Sequence, residues 1–309
     1  MGRGVALSRV WDYGERIAAI RLPFGVASVV SVDTTVRAGD IVARGTHFRA
    51  TRRVDAAKVL GAPAESVRGL LRVHVGDAVR EGAIVARSGQ RFARAIVAAQ
   101  DGRLVHVDAG GGLHLGTVRG EWALEAPLDG AVRRADRDRV VIVGNAWTLR
   151  GLAAFGPSRA GVLARAVDGA NEDLSPSRLD VGWRGRIAFG AARVGGEALT
   201  RAHAVGVTGI ACASVSFRAL VPVYGDDVSA FGSPGGEDVP TILVTRAFGH
   251  ASFDAALLER LAVLDGTRAA IDSSEGCLHV FAVADASEPL ERREVALDED
   301  LSGERADRL

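Results

Sequence analysis

Apolar and polar residues alternate in short runs through the first half of the chain, and glycines break the runs. Ile17-Ala-Ala-Ile-Arg-Leu22 ends at Pro23, and Phe24 to Val32 is a second β-prone run. Residues 5–10 and 16–22 therefore read as short strands. From Gly69 to Val143 the apolar segments are punctuated by Gly76, Gly82, Gly89, Gly102, Gly110 to Gly112, Gly116, Gly120 and Gly130. Turns at such spacing predict a barrel or sandwich. One helical stretch interrupts this region: Arg53 to Leu60 is followed by Gly61 as a stop, and Pro63 to Leu71 predicts a further short turn of helix.

After residue 180 the rhythm changes. Arg186 to Gly190, Gly209 to Ala213, Thr241 to Thr245 and Thr267 to Ile271 are compact apolar runs that predict buried strands. Gly196 to Val205, closed by Gly206, Ser216 to Leu220 and Phe253 to Leu264 predict helices, the last capped by Ser252. Alternating strands and helices predict a Rossmann-like α/β domain with a largely parallel sheet. Residues 146–180 read as a connector, Gly225 to Pro240 as a loop, and 287–309 as a charged, disordered tail. The expectation is an α+β multidomain chain: a β-rich region over 1–145 with a helical insert near 53–71, the connector, an α/β domain over 181–286, and the tail.

One phrase occurs twice. Val36-Arg-Ala-Gly39-Asp-Ile-Val-Ala-Arg44 is echoed by Val79-Arg-Glu-Gly82-Ala-Ile-Val-Ala-Arg87. Asp-Gly pairs follow, in Gln100-Asp101-Gly102-Arg-Leu-Val-His-Val107 and in Ala126-Pro-Leu-Asp129-Gly130-Ala-Val132, where a hairpin turn is expected. Residues 73–86 followed by 126–132 resemble the biotinyl/lipoyl-type hammerhead, or barrel-sandwich hybrid, and the likeness covers roughly residues 20–145. More loosely, the whole chain is similar to uncharacterised bacterial proteins that join such a region to an α/β domain. The resemblance implies the hybrid fold for the β region. It does not extend to carrier chemistry, in which a lysine at an exposed hairpin tip is modified. The chain has one lysine, Lys58, in the predicted helix, and Gly89 to Ile96, where the carrier lysine falls, holds arginines instead. Arginine cannot form the amide that anchors biotin or lipoate, so neither is expected as a cofactor.

Composition narrows the partners. The 309 residues have no net charge, yet residues 1–150 hold 23 Arg/Lys against 15 Asp/Glu and residues 151–309 hold 15 against 23. Three readings stay open: a basic face for an acidic partner, mutual attraction of the halves, or a count biased by the acidic tail. Aromatic residues, at 5%, are too few for a single-strand stacking platform. Nucleic-acid binding by the basic half would show as retention that falls steeply with salt. Cys212 and Cys277 lack a Cys-x-x-Cys spacing and read as small buried hydrophobes in a reducing cytosol. With neither a signal peptide nor an apolar run of about 18 residues, a cytoplasmic chain without membrane contact is expected. An efflux-type membrane adaptor would need an export signal and a long helical hairpin, and neither is evident.

Candidate chemistry falls in two places. Gly190-Ala-Ala-Arg193-Val-Gly195-Gly196-Glu197 joins a predicted strand to a helix, where backbone N–H groups can cradle an anion. It matches neither Gly-x-Gly-x-x-Gly nor a P-loop, and a plain strand-to-helix loop is the competing reading. Ser214, Ser216, Arg246 and His250 lie at predicted strand ends, where ligands gather in open α/β sheets. Arg246 suits an anionic group and His250 can act as acid or base; the competing reading is polar loops and caps. His74, His106 and His114 fall on β segments with no carboxylate at ligand spacing, so no metal site is expected. No catalytic residue is assigned. The sequence points first to a non-enzymatic interaction or scaffold protein with a protein partner or a homo-oligomeric state. The alternative is a small-ligand-binding protein or enzyme that uses the strand ends.

Overall fold

The structure, a computed structural model, describes residues 11–23, 26–89, 93–225 and 239–282; the strand expected over 5–10, most of the loop expected over Gly225 to Pro240 and the tail over 287–309 lie outside them. The first half of the chain is built from β1 (Trp11–Arg21), β2 (Val26–Ser28), β3 (Thr35–Val36), β4 (Ile41–Asp55), β5 (Ala78–Val79), β6 (Ile84–Ser88), β7 (Arg94–Val97), β8 (Gly102–Val107), β9 (Gly112–Glu125), β10 (Gly130–Ala135) and β11 (Arg139–Arg150). Helix α1 (Ala56–Leu60) and a 3₁₀ turn (Ala64–Leu70) stand between β4 and β5. The rest comprises β12 (Ala153–Phe155), β13 (Arg159–Arg165), β14 (Arg186–Phe189), β15 (Arg193–Val194), α2 (Gly196–Val205), β16 (Gly209–Val215), α3 (Phe217–Tyr224), β17 (Thr241–Phe248), α4 (Ala255–Val263), β18 (Arg268–Asp272) and β19 (Cys277–Val280).

The repeated phrase is the visible part of a duplication, and the two copies are nested. In the outer copy the Gly39 N–H donates to the Ala126 carbonyl, Ala126 donates to the Asp40 carbonyl, and Ala38 donates to the Asp129 carboxylate. In the inner copy Gly82 donates to Ala98, Ala98 donates to Ala83, and Glu81 donates to the Asp101 carboxylate. Val36 opposes Gly130 as Val79 opposes Gly102. The register slips at matching steps, between Val132 and Arg134 in β10 and between Leu104 and His106 in β8. Matching slips fall between Ile41 and Ala43 in β4 and between Ile84 and Ala86 in β6. Even the left-handed turn position corresponds: Asp33, with φ 66°, stands where the inner copy has Gly76, with φ 101°. Aspartate is one of the few L residues that enters this region readily. The inner copy lies between β4 and β9, which pair antiparallel from Ile41–Glu125 to Asp55–Gly112, and its core includes Leu60, Val67, Val85, Ile96, Leu104 and Leu113.

The Asp-Gly pairs do not make the hairpin turns expected of them. Asp101 and Asp129 sit at corners where the chain leaves one sheet for another, β7 to β8 and β9 to β10. Each carboxylate instead accepts the N–H of the neighbouring turn, a tertiary use of a side chain suited to backbone bonding.

The expected Rossmann-like, largely parallel α/β domain is not what forms, and with it the α+β multidomain assignment falls. A mixed 12-stranded sheet runs β12-β17-β16-β14-β13-β18-β19-β11-β10-β3, with β1 added to β11 and β15 to β16. Four pairings are parallel, β13–β14, β14–β16, β15–β16 and β16–β17. The other seven are antiparallel. The turn after β18 explains the departure. Asp272 Oδ1 accepts hydrogen bonds from the Ser274 and Glu275 N–H groups, the chain reverses, and β19 returns antiparallel to join β11. Fully buried strands carry unbroken apolar runs in either direction, so the pattern reports burial and not polarity of pairing. The predicted alternation holds locally: α2 and α3 cover one face of the parallel strands through Leu199, Ala202 and Leu220, and α4 covers the other through Leu257, Leu258 and Leu261. The cap of α4 is Asp254, whose carboxylate accepts the Leu257 N–H at 2.8 Å, rather than Ser252.

Arg268 of β18 ties the outer copy to the large sheet. Its guanidinium reaches Asp129 at 3.0 Å and the Ala38 carbonyl at 3.1 Å, and stacks over Phe281. Asp101 holds its own turn without such a partner among the contacts described. Replacing Asp101 with alanine is expected to lower stability by about 1 kcal/mol, and replacing Asp129 by about 2 kcal/mol. Thermal unfolding of both variants checks the order; equal losses would mean that Arg268 adds nothing.

Candidate functional site

The ends of β15, β16 and β17 lie in a row. Arg193 opposes Ser214, Val194 opposes Val215, and Val215 in turn opposes Phe248. The structure thus brings Ser214, Ser216, Arg246 and His250 to one rim, but not as a reactive group. Ser214 is buried, and its hydroxyl bonds the Ala192 carbonyl at 2.9 Å with the Gly249 carbonyl at 3.3 Å. Ser216 precedes α3 without a side-chain capping bond and is exposed. Arg246 is half-buried and reaches the Ser252 carbonyl at 3.5 Å, and His250 is exposed.

The glycine loop serves packing. At Gly190, with φ 101°, a Cβ would lie 2.5 Å from Leu258 Cδ1, so the loop touches α4 where no side chain fits. Arg193 is held by Asp173 at 3.0 and 2.5 Å, and Glu197 places a carboxylate in the first turn of α2, which Gly195 and Gly196 open. An anion would meet that carboxylate.

Two side chains on this rim stand out by exposure. Phe217, at the start of α3, is 55% exposed, and Phe248, at the end of β17, is 52% exposed. Arg218 and Glu197 are exposed as well. Phe217 reads from sequence as part of a predicted helix. Its place in the first helical turn, before the helix meets its core, is the signal that sets it outward.

A buried polar pair lies across β11 and β19. Arg16 Nε donates to Thr148 Oγ1 at 2.8 Å, which leaves the threonine hydrogen for His279 Nδ1 at 2.9 Å. Burial pushes His279 down to about 4, with Asp272 opposing and Arg16 and Arg150 adding to the shift. Asp272 is buried, and its Oδ2 has no hydrogen-bond partner among the described residues. Burial also raises the thiols, Cys212 to about 12 and Cys277 to about 11, so both are inert hydrophobes.

Two of the histidines read as lacking a carboxylate have one. His74 Nδ1 lies 3.3 Å from Asp77, and His114 Nε2 lies 3.0 Å from Asp108. A bond from Arg53 holds Asp108 far below the usual carboxylate range, helped by the Gly112 N–H and His114. The missed signal is the alternation His106-Val-Asp108 before the glycine turn, which puts both side chains on one face. Lys58, the single lysine, lies in α1, away from any hairpin tip. Among the described residues, no helix is long and apolar enough to cross a membrane.

No protein-family model, curated protein or solved structure matches the chain.

Two measurements follow. Gly190→Ala is expected to lower stability by about 2 kcal/mol or more, while Arg246→Ala and His250→Ala leave the melting temperature nearly unchanged. A tolerant Gly190 would return the loop to ligand binding. His279 has a folded pKa below its ordinary 6.5, so the fold favours the neutral ring. Its contribution is present above pH 6.5 and lost as pH falls from there through about 4, by up to about 3 kcal/mol. Denaturant midpoints across that window should fall for the parent chain and flatten in His279→Gln. The depressed carboxylates titrate lower and do not mimic this.

Proposed function

We propose that the chain is a non-enzymatic interaction protein, and that it holds a protein partner, or a second copy of itself, against the rim at the ends of β16 and β17. The exposed pair Phe217 and Phe248 carries this reading. Large aromatic side chains left half in water on one rim mark contact surfaces, and aromatic residues with arginine dominate binding energy where partners are well packed. Arg218, Arg246 and His250 supply the polar surround. The hydroxyl and guanidinium best placed for chemistry, those of Ser214 and Arg193, are already engaged within the fold, which favours binding over turnover.

The test compares the parent chain with a Phe217→Ala/Phe248→Ala variant, drawn gently from the host lysate. The parent is expected to run at a defined mass above that of one chain. The variant should lose the added mass, since each aromatic truncation at a hot spot weakens binding by about 2 kcal/mol, or roughly 30-fold. Its melting temperature should fall only slightly, because both rings are about half exposed and Phe248 gives up only its edge-on contact with Phe155. A parent chain that runs as a bare monomer, or a variant that keeps its partner, would overturn the reading.

A further inference from the structure

The inner copy carries a feature that the outer copy lacks. His106 of β8 and His114 of β9 are directly opposed, and Arg53 of β4 opposes His114 on its other side. The two imidazole centroids are 5.7 Å apart. Asp108 stands over this row. Its Oδ2 accepts from Arg53 Nε at 2.8 Å and from His114 Nε2 at 3.0 Å, and its Oδ1 accepts the Gly112 N–H at 2.8 Å. An ionised carboxylate only accepts, so His114 carries its proton on Nε2 and keeps the lone pair on Nδ1. An imidazole fixed in this way by a carboxylate is the arrangement that metal-binding histidines adopt.

The duplication supplies an independent comparison. The outer-copy counterparts of His106, His114 and Asp108 are Arg134, Val141 and Asp136. Asp136 does for its hairpin what Asp108 does here: it bonds Arg134 and accepts the Asp138 and Arg139 N–H groups. The frame therefore needs the aspartate and tolerates arginine and valine at the other two positions. Histidine at both of these positions is thus particular to the inner copy.

We propose that His106 and His114 form a binding site for a borderline divalent transition-metal ion such as zinc, nickel or copper, with Asp108 as a positioning residue. With nitrogens about 2.1 Å from one ion, two imidazole centroids lie roughly 5–6 Å apart, close to the separation observed. Imidazole suits these ions better than magnesium or calcium. Among the described residues no three metal-ligating side chains gather at one point, so water fills the other positions. His106 and Asp108 also line a groove of about 420 Å³ together with Glu65 and Arg68, and open positions are what sites that bind a further ligand retain.

The test uses the full chain, free of any histidine tag, titrated calorimetrically with zinc and nickel ions and examined by electron paramagnetic resonance with copper. Saturable uptake of one ion per chain, with nitrogen coupling in the copper spectrum, is expected. His106→Gln and His114→Gln should each abolish the nitrogen pair and the uptake. Asp108→Asn should weaken affinity about 10- to 100-fold, while Asp136→Asn, which removes the same structural role from the outer copy, leaves affinity unchanged. His74→Gln serves as the surface control and should change nothing. No saturable uptake, uptake that survives either histidine replacement, or equal effects of Asp108→Asn and Asp136→Asn would overturn the proposal.

Discussion

Strand β11 is the member on which the rest of the structure depends. One edge pairs with β1 from Arg139 to Leu149, and the other is shared in turn by β10 and by β19. Its backbone donors and acceptors are therefore committed on both sides by elements from opposite ends of the chain, which is the condition for burying them. Between the stretches given to β10 and β19 lies Gly144, where a Cβ would meet the Asp129 carbonyl at 1.8 Å. That missing side chain lets the Asp129 corner press against the sheet. Asp129 there holds both the Ala38 turn and Arg268. Sheet, corner and turn stand or fall together.

Much of the local structure is legible along the chain. The helical period and the glycine stops place α2 and α4 to within a few residues, and the twice-used phrase marks the two copies. What the pattern does not carry is partnership. Asp101-Gly102 and Asp129-Gly130 look like hairpin turns because local chemistry allows it, yet their carboxylates serve turns far away in sequence. The run from Arg268 to Asp272 is as apolar in an antiparallel sheet as it would be in a parallel one. The Asp-Ser-Ser-Glu-Gly turn that decides the matter is short and ordinary in composition. Direction of pairing is a property of closure, and closure lies outside any window of sequence.

The candidate site residues divide along the same line. Ser214, Ser216, Arg246 and His250 do meet at one rim, because strand ends in register must. Whether a hydroxyl is available or already bonded depends on carbonyls such as those of Ala192 and Gly249, which no motif encodes. The histidines show the reverse. His106 and His114 stand apart in sequence, and only a three-glycine turn with Asp108 at its shoulder makes them neighbours. Gly111 permits that turn to nest against the helical insert, where a Cβ would come within 3.0 Å of Ala64 Cα.

Nesting one copy inside the other has a consequence for how the chain reaches its fold. The inner copy closes between Val79 and Gly102, whereas the outer copy must bring Val36 to Gly130, a loop roughly four times longer that adds about 1 kcal/mol of closure entropy. Once the inner copy has formed, the β4 and β9 strands emerge from it side by side, and the outer ends are delivered to each other. The insert is thus a clasp for its host: it shortens the search that the outer copy faces.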